Sequence, residues 1–228
     1  MHAKAKTADL FSRLRAGQVA QLRRLDSPRK LQDFLDYDIA YNGGEDSTCL
    51  SVSEVLRQRR AHCIEGAMLA AAAFLLQGRK ALLLDLRANP RDDDHVIAPF
   101  TENGRWGAVA KSCFCGLRYR EPVYRSFGEL ARSYFEFYYN DTGEKTLREF
   151  SAPFEVSRLK PDWLCSEKNV FYVSRKLDAL RHTQMVPYQQ QRRLRRADSL
   201  LRQAEIIGCT GAPLTKSSPR PYRKRQPR

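Results

Sequence analysis

The feature that most constrains this chain is a helical segment with almost no polar side chain. From residue 64 to residue 76 nearly every residue is apolar or small, and Gly78 follows as a helix stop. The longest uninterrupted apolar run, residues 67–76, has ten residues, whereas a helix that spans a membrane needs about 20. A helix that is apolar on all sides must be covered by other parts of the chain. We therefore predict that it lies at the centre of a folded core.

The composition agrees with one such core. Of the 228 residues, 42% are hydrophobic and 29% are charged, which is ordinary for a folded protein. This length favours a single domain with appended segments over two full domains. The six cysteines are few for this length, and the first six residues lack the apolar centre of a signal peptide. We expect a soluble protein of the reducing cytoplasm that makes no contact with a membrane; its oligomeric state stays open.

Three segments after the apolar helix have the pattern of strands. They are residues 81–86, 94–100 and 105–111. Asn103-Gly104 is typical of a tight hairpin turn between the last two. Side-chain alternation along the second segment places His95 and Ile97 on one face. The predicted fold class is α+β, with the apolar helix packed on an antiparallel sheet and further helices at its flanks.

Composition divides the chain into four parts. They are an N-terminal helical segment (1–50), a core (51–180), a basic helical extension (181–210) and a basic tail (211–228). Ser51 and Glu54 form a capping box that begins a short helix at the start of the core. The tail consists mainly of Pro, Ser, Lys and Arg with almost nothing to bury, so we expect it to be disordered.

Most of the net positive charge lies at the C-terminal end. Residues 181–228 hold 12 Lys and Arg and 2 acidic residues, which accounts for +10 of the net charge of +14. Cations at this density can associate with phosphate backbones in a salt-dependent way. No recognition fold accompanies them, and a solvated tail is an equally good interpretation. One hypothesis is therefore a nucleic-acid-associated protein that makes weak, nonspecific contacts through its tail.

Cys63 begins the apolar helix, and His95 begins the second predicted strand. The dipole at a helix start favours thiolate, and a strand histidine can act as its base. Taken singly, Cys63 can be a small core residue, and His95 can pair with the neighbouring carboxylates of residues 92–94. Their joint placement favours a cysteine-nucleophile site. Basic side chains shortly before the thiol can lower its pKa or bind an anionic substrate group, or can form an exposed helix end. They are Arg59, Arg60 and His62.

This order of elements resembles the transglutaminase-like superfamily of cysteine enzymes, which are papain-like in geometry, over residues 51–112. The matching stretches are residues 59–67, the helix stop at Gly78, His95 with its strand, and the strand of Trp106. The resemblance implies that Cys63 attacks an acyl group as nucleophile and that His95 takes and returns the proton. It also implies a transglutaminase-like core over residues 51–180. The substrate would be a peptide, a protein or a small acyl or amide compound.

The sequence does not match the family at the third catalytic residue, the aspartate that orients the histidine. The family pattern runs from Trp through two residues and an aliphatic residue to Asp; here it begins at Trp106 and ends on Ala110. A methyl group cannot orient a histidine. Two other candidates for this role are Ser112, further along the same strand face, and Asp85, a carboxyl in an otherwise apolar strand. The sequence thus predicts a cysteine hydrolase or acyltransferase, with a catalytically inactive binding or scaffold protein as the alternative.

Neither a metal ion nor a cofactor is expected. Residues 92–94 precede His95 as a run of three aspartates, and Cys113 and Cys115 add two thiols. Zinc sites usually combine two closely spaced ligand pairs, which the chain lacks. The aspartates are more typical of a solvated turn.

Overall fold

The computed structural model describes residues 2–43 and 47–209, so the tail predicted over 211–228 lies outside the described residues. The helices are α1 (His2–Phe11), α2 (Ala16–Arg24), α3 (Pro28–Tyr37), α4 (Val52–Gln58), α5 (Cys63–Leu76), α6 (Phe127–Arg132), α7 (Asp162–Cys165), α8 (Tyr172–Asp178), α9 (Tyr188–Gln191) and α10 (Ser199–Glu205). The strands are β1 (Ala40–Tyr41), β2 (Arg60–Ala61), β3 (Leu82–Ala88), β4 (His95–Glu102), β5 (Arg105–Val109), β6 (Arg120–Tyr124), β7 (Leu147–Ser151), β8 (Phe154–Glu155) and β9 (His182–Gln184).

The main sheet has the strand order β6-β5-β4-β3-β7-β9, and β8 pairs with the other end of β3. Every pair in this sheet is antiparallel. The short strands β1 and β2 form a separate parallel pair. The predicted α+β class with an antiparallel sheet is confirmed.

Helix α5 lies at the centre of the molecule, as its composition predicts. Its side chains from Ile64 to Phe74 are buried. One hydrophobic cluster joins them to the N-terminal helices and to one face of the sheet, including Leu83 and Val96. A second cluster, which contains Ile97 and Tyr134, covers the opposite face. In the described ranges no helix combines the length and the apolar character that crossing a membrane requires.

Local signals in the sequence explain where several elements begin. Ser51 caps α4, its hydroxyl accepting a hydrogen bond from the backbone N–H of Glu54 at 3.4 Å. Asn103 and Gly104 adopt positive φ angles of 49° and 72° in the turn between β4 and β5. These residue types tolerate that backbone conformation, so the predicted hairpin turn is confirmed. The predicted capping box is only half formed, because the Glu54 carboxylate binds the side chains of Arg57 and Gln58 instead of the backbone N–H of Ser51.

The segment 181–210 differs from the predicted basic helical extension. It opens with strand β9, which pairs with β7 at the sheet edge, and up to residue 209 the structure describes the short helices α9 and α10 and a 3-10 turn at Ile206–Cys209. Pairing with an existing sheet edge satisfies backbone groups that a helix would otherwise satisfy internally, and Pro187 separates the strand from α9. Tertiary pairing thus overrides the helical composition.

Cys113 and Cys209 form a disulfide that spans 96 residues of sequence. Disulfides persist in oxidising compartments and are rare in a reducing cytoplasm. The bond is therefore at odds with the compartment expected from the small number of cysteines. Within the described chain the free cysteines are Cys49, Cys63, Cys115 and Cys165.

Candidate active site

Cys63 lines a cleft of about 610 Å³ between the first turn of α5, the start of β4 and the segment that follows β5. Its side chain is half-buried and does not belong to either hydrophobic cluster. The interpretation of Cys63 as a small core residue is therefore wrong. His95 lines the same cleft, so the structure brings the two predicted residues together.

A buried carboxylate fixes the turn that carries the thiol. Glu65, the third residue of α5, is fully buried and accepts a hydrogen bond from the backbone N–H of His62 at 2.9 Å. The same carboxylate accepts from the backbone N–H of Leu50 at 2.8 Å and from the hydroxyl of Thr48 at 2.6 Å. A carboxylate at this position satisfies donors that a helix start leaves without partners. The position of Cys63 is thereby tied to the preceding loop.

Two imidazole rings converge on the sulfur. His62 Nε2 lies 2.8 Å from the carbonyl oxygen of Thr48 and therefore donates, since a carbonyl only accepts. Its Nδ1 lies 3.9 Å from Cys63 Sγ. His95 Nε2 donates in the same way to the carbonyl of Leu117 at 2.8 Å, and the imidazole lines the cleft close enough to the Cys63 thiol to lower its pKa. Each ring is held in one tautomer by a backbone carbonyl, which leaves its other nitrogen for the sulfur.

These contacts change the charge state of the thiol. Burial alone would raise the pKa of Cys63, but the hydrogen bonds and charges of His62 and His95 outweigh it and lower the pKa to about 5. For His62, burial acts to lower the pKa, while the Cys63 thiolate and Glu65 raise it to about 9. Between these values the pair exists as thiolate and imidazolium.

Only one of the three basic residues before the thiol lies at the site. The Arg59 guanidinium sits over the ring of Phe34, 5.3 Å from its centre. Arg60 donates a hydrogen bond to the side chain of Gln58 at 2.9 Å. Both arginines are exposed and lie outside the cleft, in line with the alternative interpretation, so of these three basic residues only His62 acts on the thiol.

The end of β5 offers no orienting group for His95. Ala110 is buried, and its backbone N–H and carbonyl are bonded to the side-chain amide of Gln32 at 3.0 and 2.9 Å. The hydroxyl of Ser112 accepts a hydrogen bond from the backbone N–H of Phe114 at 3.0 Å. The hydroxyl thus organises the following turn, and Ser112 does not take the role considered for it.

Asp85 does not orient His95 either. Its carboxylate is bonded to Nε2 of His182 at 2.9 Å, and both side chains are almost fully buried. Burial raises the pKa of Asp85 to about 6, against the lowering effect of the His182 hydrogen bond. The orienting group of His95 is instead the Leu117 carbonyl. The sequence did not indicate this acceptor, because every residue carries a backbone carbonyl whatever its side chain.

The aspartate run is part of a hydrogen-bonded loop, and the prediction of a merely solvated turn is incomplete. The hydroxyl of Tyr138, a buried residue, donates to the carbonyl of Asp93 at 2.6 Å. The Asp94 carboxylate accepts from the backbone N–H of Ala88 at 2.7 Å. The backbone carbonyl of Asp94 lies 3.8 Å from Cys63 Sγ, so this loop forms one edge of the cleft.

The cleft is acidic although the chain is strongly basic. No lysine or arginine lines it within the described part of the chain. The aspartates that line it are Asp85, Asp92, Asp93, Asp94, Asp141 and Asp178. Carboxylate oxygens of three of them, Asp85, Asp94 and Asp178, lie within 4.8 Å of one another. Protein groups already engage the first two of these three. The thiol of Cys113 is bonded to Cys209, so it is not available as a metal ligand.

Comparison of the chain with protein-family models and with curated protein sequences found no match. The chemistry of the cleft is therefore the basis on which a function is assigned.

Proposed function

We propose that the protein is a cysteine enzyme with a transglutaminase-like core that hydrolyses or transfers an acyl group through a thioester on Cys63. One observation carries the proposal: a thiol on the first turn of a buried helix lies 3.9 Å from Nδ1 of His62 and shares an open cleft with the imidazole of His95. The volume of about 610 Å³ lies in the range of small-molecule and peptide sites.

The acylation step uses groups at the start of α5. The Cys63 thiolate attacks the carbonyl carbon of an amide or ester and forms a C–S bond, which places negative charge on the carbonyl oxygen. The first N–H groups of a helix have no partner inside it and are suited to hold this oxyanion. In this proposal His95 takes up the proton of the thiol and gives it to the leaving amine or alcohol as the bond to that group breaks.

The deacylation step reverses the direction of the proton. Water attacks the thioester carbon, His95 takes a proton from this water, and the acid is released as the C–S bond breaks. An amine in place of water would give acyl transfer. Hydrolysis needs no second binding site, and it is the reaction that we favour.

The absence of a carboxylate at Ala110 changes how His95 is supported. A carboxylate both orients an imidazole and stabilises its cation, whereas the Leu117 carbonyl mainly fixes the tautomer. His62, whose pKa is raised to about 9, supplies a second cation beside the sulfur. The thiolate therefore has a source of charge stabilisation that does not depend on a third residue of the family kind.

The reactivity of the thiol tests this function. We expect the rate of Cys63 alkylation by iodoacetamide to show an inflection near the pKa of about 5, far below the value of about 8.5 for a free thiol. In the His95→Ala variant the inflection should move upward. The Cys63→Ser variant gives the background from the other cysteines.

A second measurement separates an activated thiol from a working enzyme. Incubation with p-nitrophenyl acetate should acetylate Cys63, which mass spectrometry detects, and water should then remove the acetyl group. An unreactive thiol, or an inflection that His95→Ala leaves in place, would refute the proposed enzyme and favour the inactive scaffold.

A further inference from the structure

A second cavity, of about 580 Å³, lies on the other side of the loop of residues 89–94 and is as basic as the cleft is acidic. We call it the basic cavity. Its cations are Arg91, Lys145, Arg148, Arg192 and Arg196, and Glu144 is the one carboxylate among its lining residues. The thiol chemistry proposed above does not use any of them.

Some of these cations already have partners. Arg91 donates to Glu144 at 2.5 and 2.7 Å, and Arg148 lies 3.6 Å from the same carboxylate. Lys145 forms an ion pair with Glu136. These pairs consume the negative charge at the site and leave positive charge in excess.

The remaining two arginines, Arg192 and Arg196, are exposed. Within the described ranges neither Arg192 nor Arg196 forms an ion pair. Arg192 reaches the hydroxyl of Tyr188, and Arg196 reaches the carbonyl of Thr142, both at 3.5 Å. Guanidinium groups in a concave site favour anions, and phosphate oxygens match their paired N–H groups.

An exposed aromatic ring stands at the same cavity. Tyr188 is 67% exposed, and the Arg192 guanidinium lies 5.7 Å from the centre of its ring. A planar ring with an open face beside a cation provides a surface on which a nucleobase can stack. An inorganic anion has no base that could stack on this ring.

The segment that carries this ring is fixed to the sheet. The backbone N–H of Met185 donates to the carbonyl of Arg148 at 2.8 Å, directly beyond the pairing of β9 with β7. Val186 is buried, and the side-chain amides of Gln184 and Gln191 both donate to its carbonyl at 3.1 Å. The Tyr188 ring is therefore carried by a segment that is fixed in position beside the basic cavity.

From these observations we infer that the basic cavity binds a nucleotide unit, with its phosphate at Arg192 and Arg196 and its base on Tyr188. Single-stranded nucleic acid and free nucleotides share this chemistry. We favour the single strand, because the exposed Arg193 continues the positive charge outside the cavity, next to Arg195, which lies 3.6 Å from the Asp198 carboxylate.

The test is fluorescence polarisation of a labelled single-stranded RNA of about ten nucleotides with the full chain. Arg192→Gln/Arg196→Gln should weaken binding about tenfold or more at about 0.1 M salt and lower the salt slope by about two. The matched control, Arg193→Gln/Arg195→Gln, removes equal charge from the same segment outside the cavity and should lose much less. Tyr188→Ala should lose about fivefold or more, while Tyr188→Phe keeps the ring and should retain binding.

Competition identifies the source of the nucleotide unit. Displacement of the RNA by unlabelled RNA alone supports the single strand, and displacement by adenosine monophosphate as well supports a site that also takes free nucleotides. Equal losses in the two arginine pairs, or no loss in either, would overturn the inference, because the RNA would then be held by diffuse charge or elsewhere. Unchanged binding in Tyr188→Ala would overturn the stacking contact and leave no nucleotide site.

Discussion

At the scale of single residues, the site depends on where the protons of two histidines are held. The carbonyls of Thr48 and Leu117 each accept a hydrogen bond from Nε2 of one imidazole, so Nδ1 of each ring stays available for proton exchange in the cleft. Two imidazoles can therefore exchange a proton with the one sulfur. We expect them to have different roles: His62 mainly stabilises the thiolate, and His95 moves the proton.

Turnover should separate these roles. In His62→Ala we expect the inflection of the alkylation rate to rise from about 5, because a cation beside the sulfur is lost, while ester hydrolysis is retained at pH values above the new inflection. In His95→Ala hydrolysis should fall by about 10² to 10⁴ at every pH, since the general acid and base is missing. The measurement is p-nitrophenyl acetate hydrolysis across pH, with Cys63→Ser as the baseline. Equal losses in the two variants would contradict the division of roles.

At the scale of elements, the site depends on a close approach between α5 and the chain that follows β5. A Cβ atom at Gly66 would lie 2.5 Å from Cβ of Lys111. Lys111 is itself buried, with Nζ donating to the carbonyls of Leu35 and Ile39 at 2.6 Å. The first turn of α5 is therefore held against a segment that cannot easily move.

Gly66→Ala should consequently destabilise the fold by about 1–3 kcal/mol, the usual range for overpacking a core. Gly17→Ala in α2 is the matched control, because nothing lies within 4 Å of a Cβ at that position. That control should be neutral or slightly stabilising, since alanine favours helix more than glycine does. Urea unfolding measures both. A Gly66→Ala variant as stable as Gly17→Ala would show that α5 and the segment after β5 are not in close contact.

At the scale of the whole molecule, opposite charges are separated across one loop. The cleft is lined by aspartates, whereas Arg91 of the same loop points to the basic cavity. A basic protein with an acidic cleft should attract cationic compounds to Cys63 more than its net charge of +14 suggests.

Charged thiol reagents measure this local potential. Cys63 should react faster with 2-aminoethyl methanethiosulfonate than with the anionic 2-sulfonatoethyl reagent, relative to the rates of a free thiol. The preference should shrink as salt rises, because salt screens the carboxylates. Cys115, an exposed thiol that does not line the cleft, is the internal control and should lack the preference. A preference of Cys63 for the anion would contradict an acidic cleft.

Much of the fold could be predicted because its signals are local. The apolar character of α5 requires burial on all sides, the Ser51 hydroxyl caps the start of α4, and Asn103-Gly104 makes a hairpin turn. The positions of Cys63 and His95 also follow from local signals, since each begins its own element. The outcome for 181–210 shows the limit of such signals, because a strand at a sheet edge depends on a partner distant in sequence.

The sequence by itself determined the α+β class, the central helix and the two residues that begin the elements facing the cleft. Only the tertiary structure decided what surrounds them: the carbonyl of Leu117 behind His95, the pairing of Asp85 with His182, and the acidic lining of the cleft. The physical reason is that periodicity, caps and turns act between near neighbours in the chain. Hydrogen bonds and charges act across space, between groups whose separation in sequence has no fixed relation to their distance.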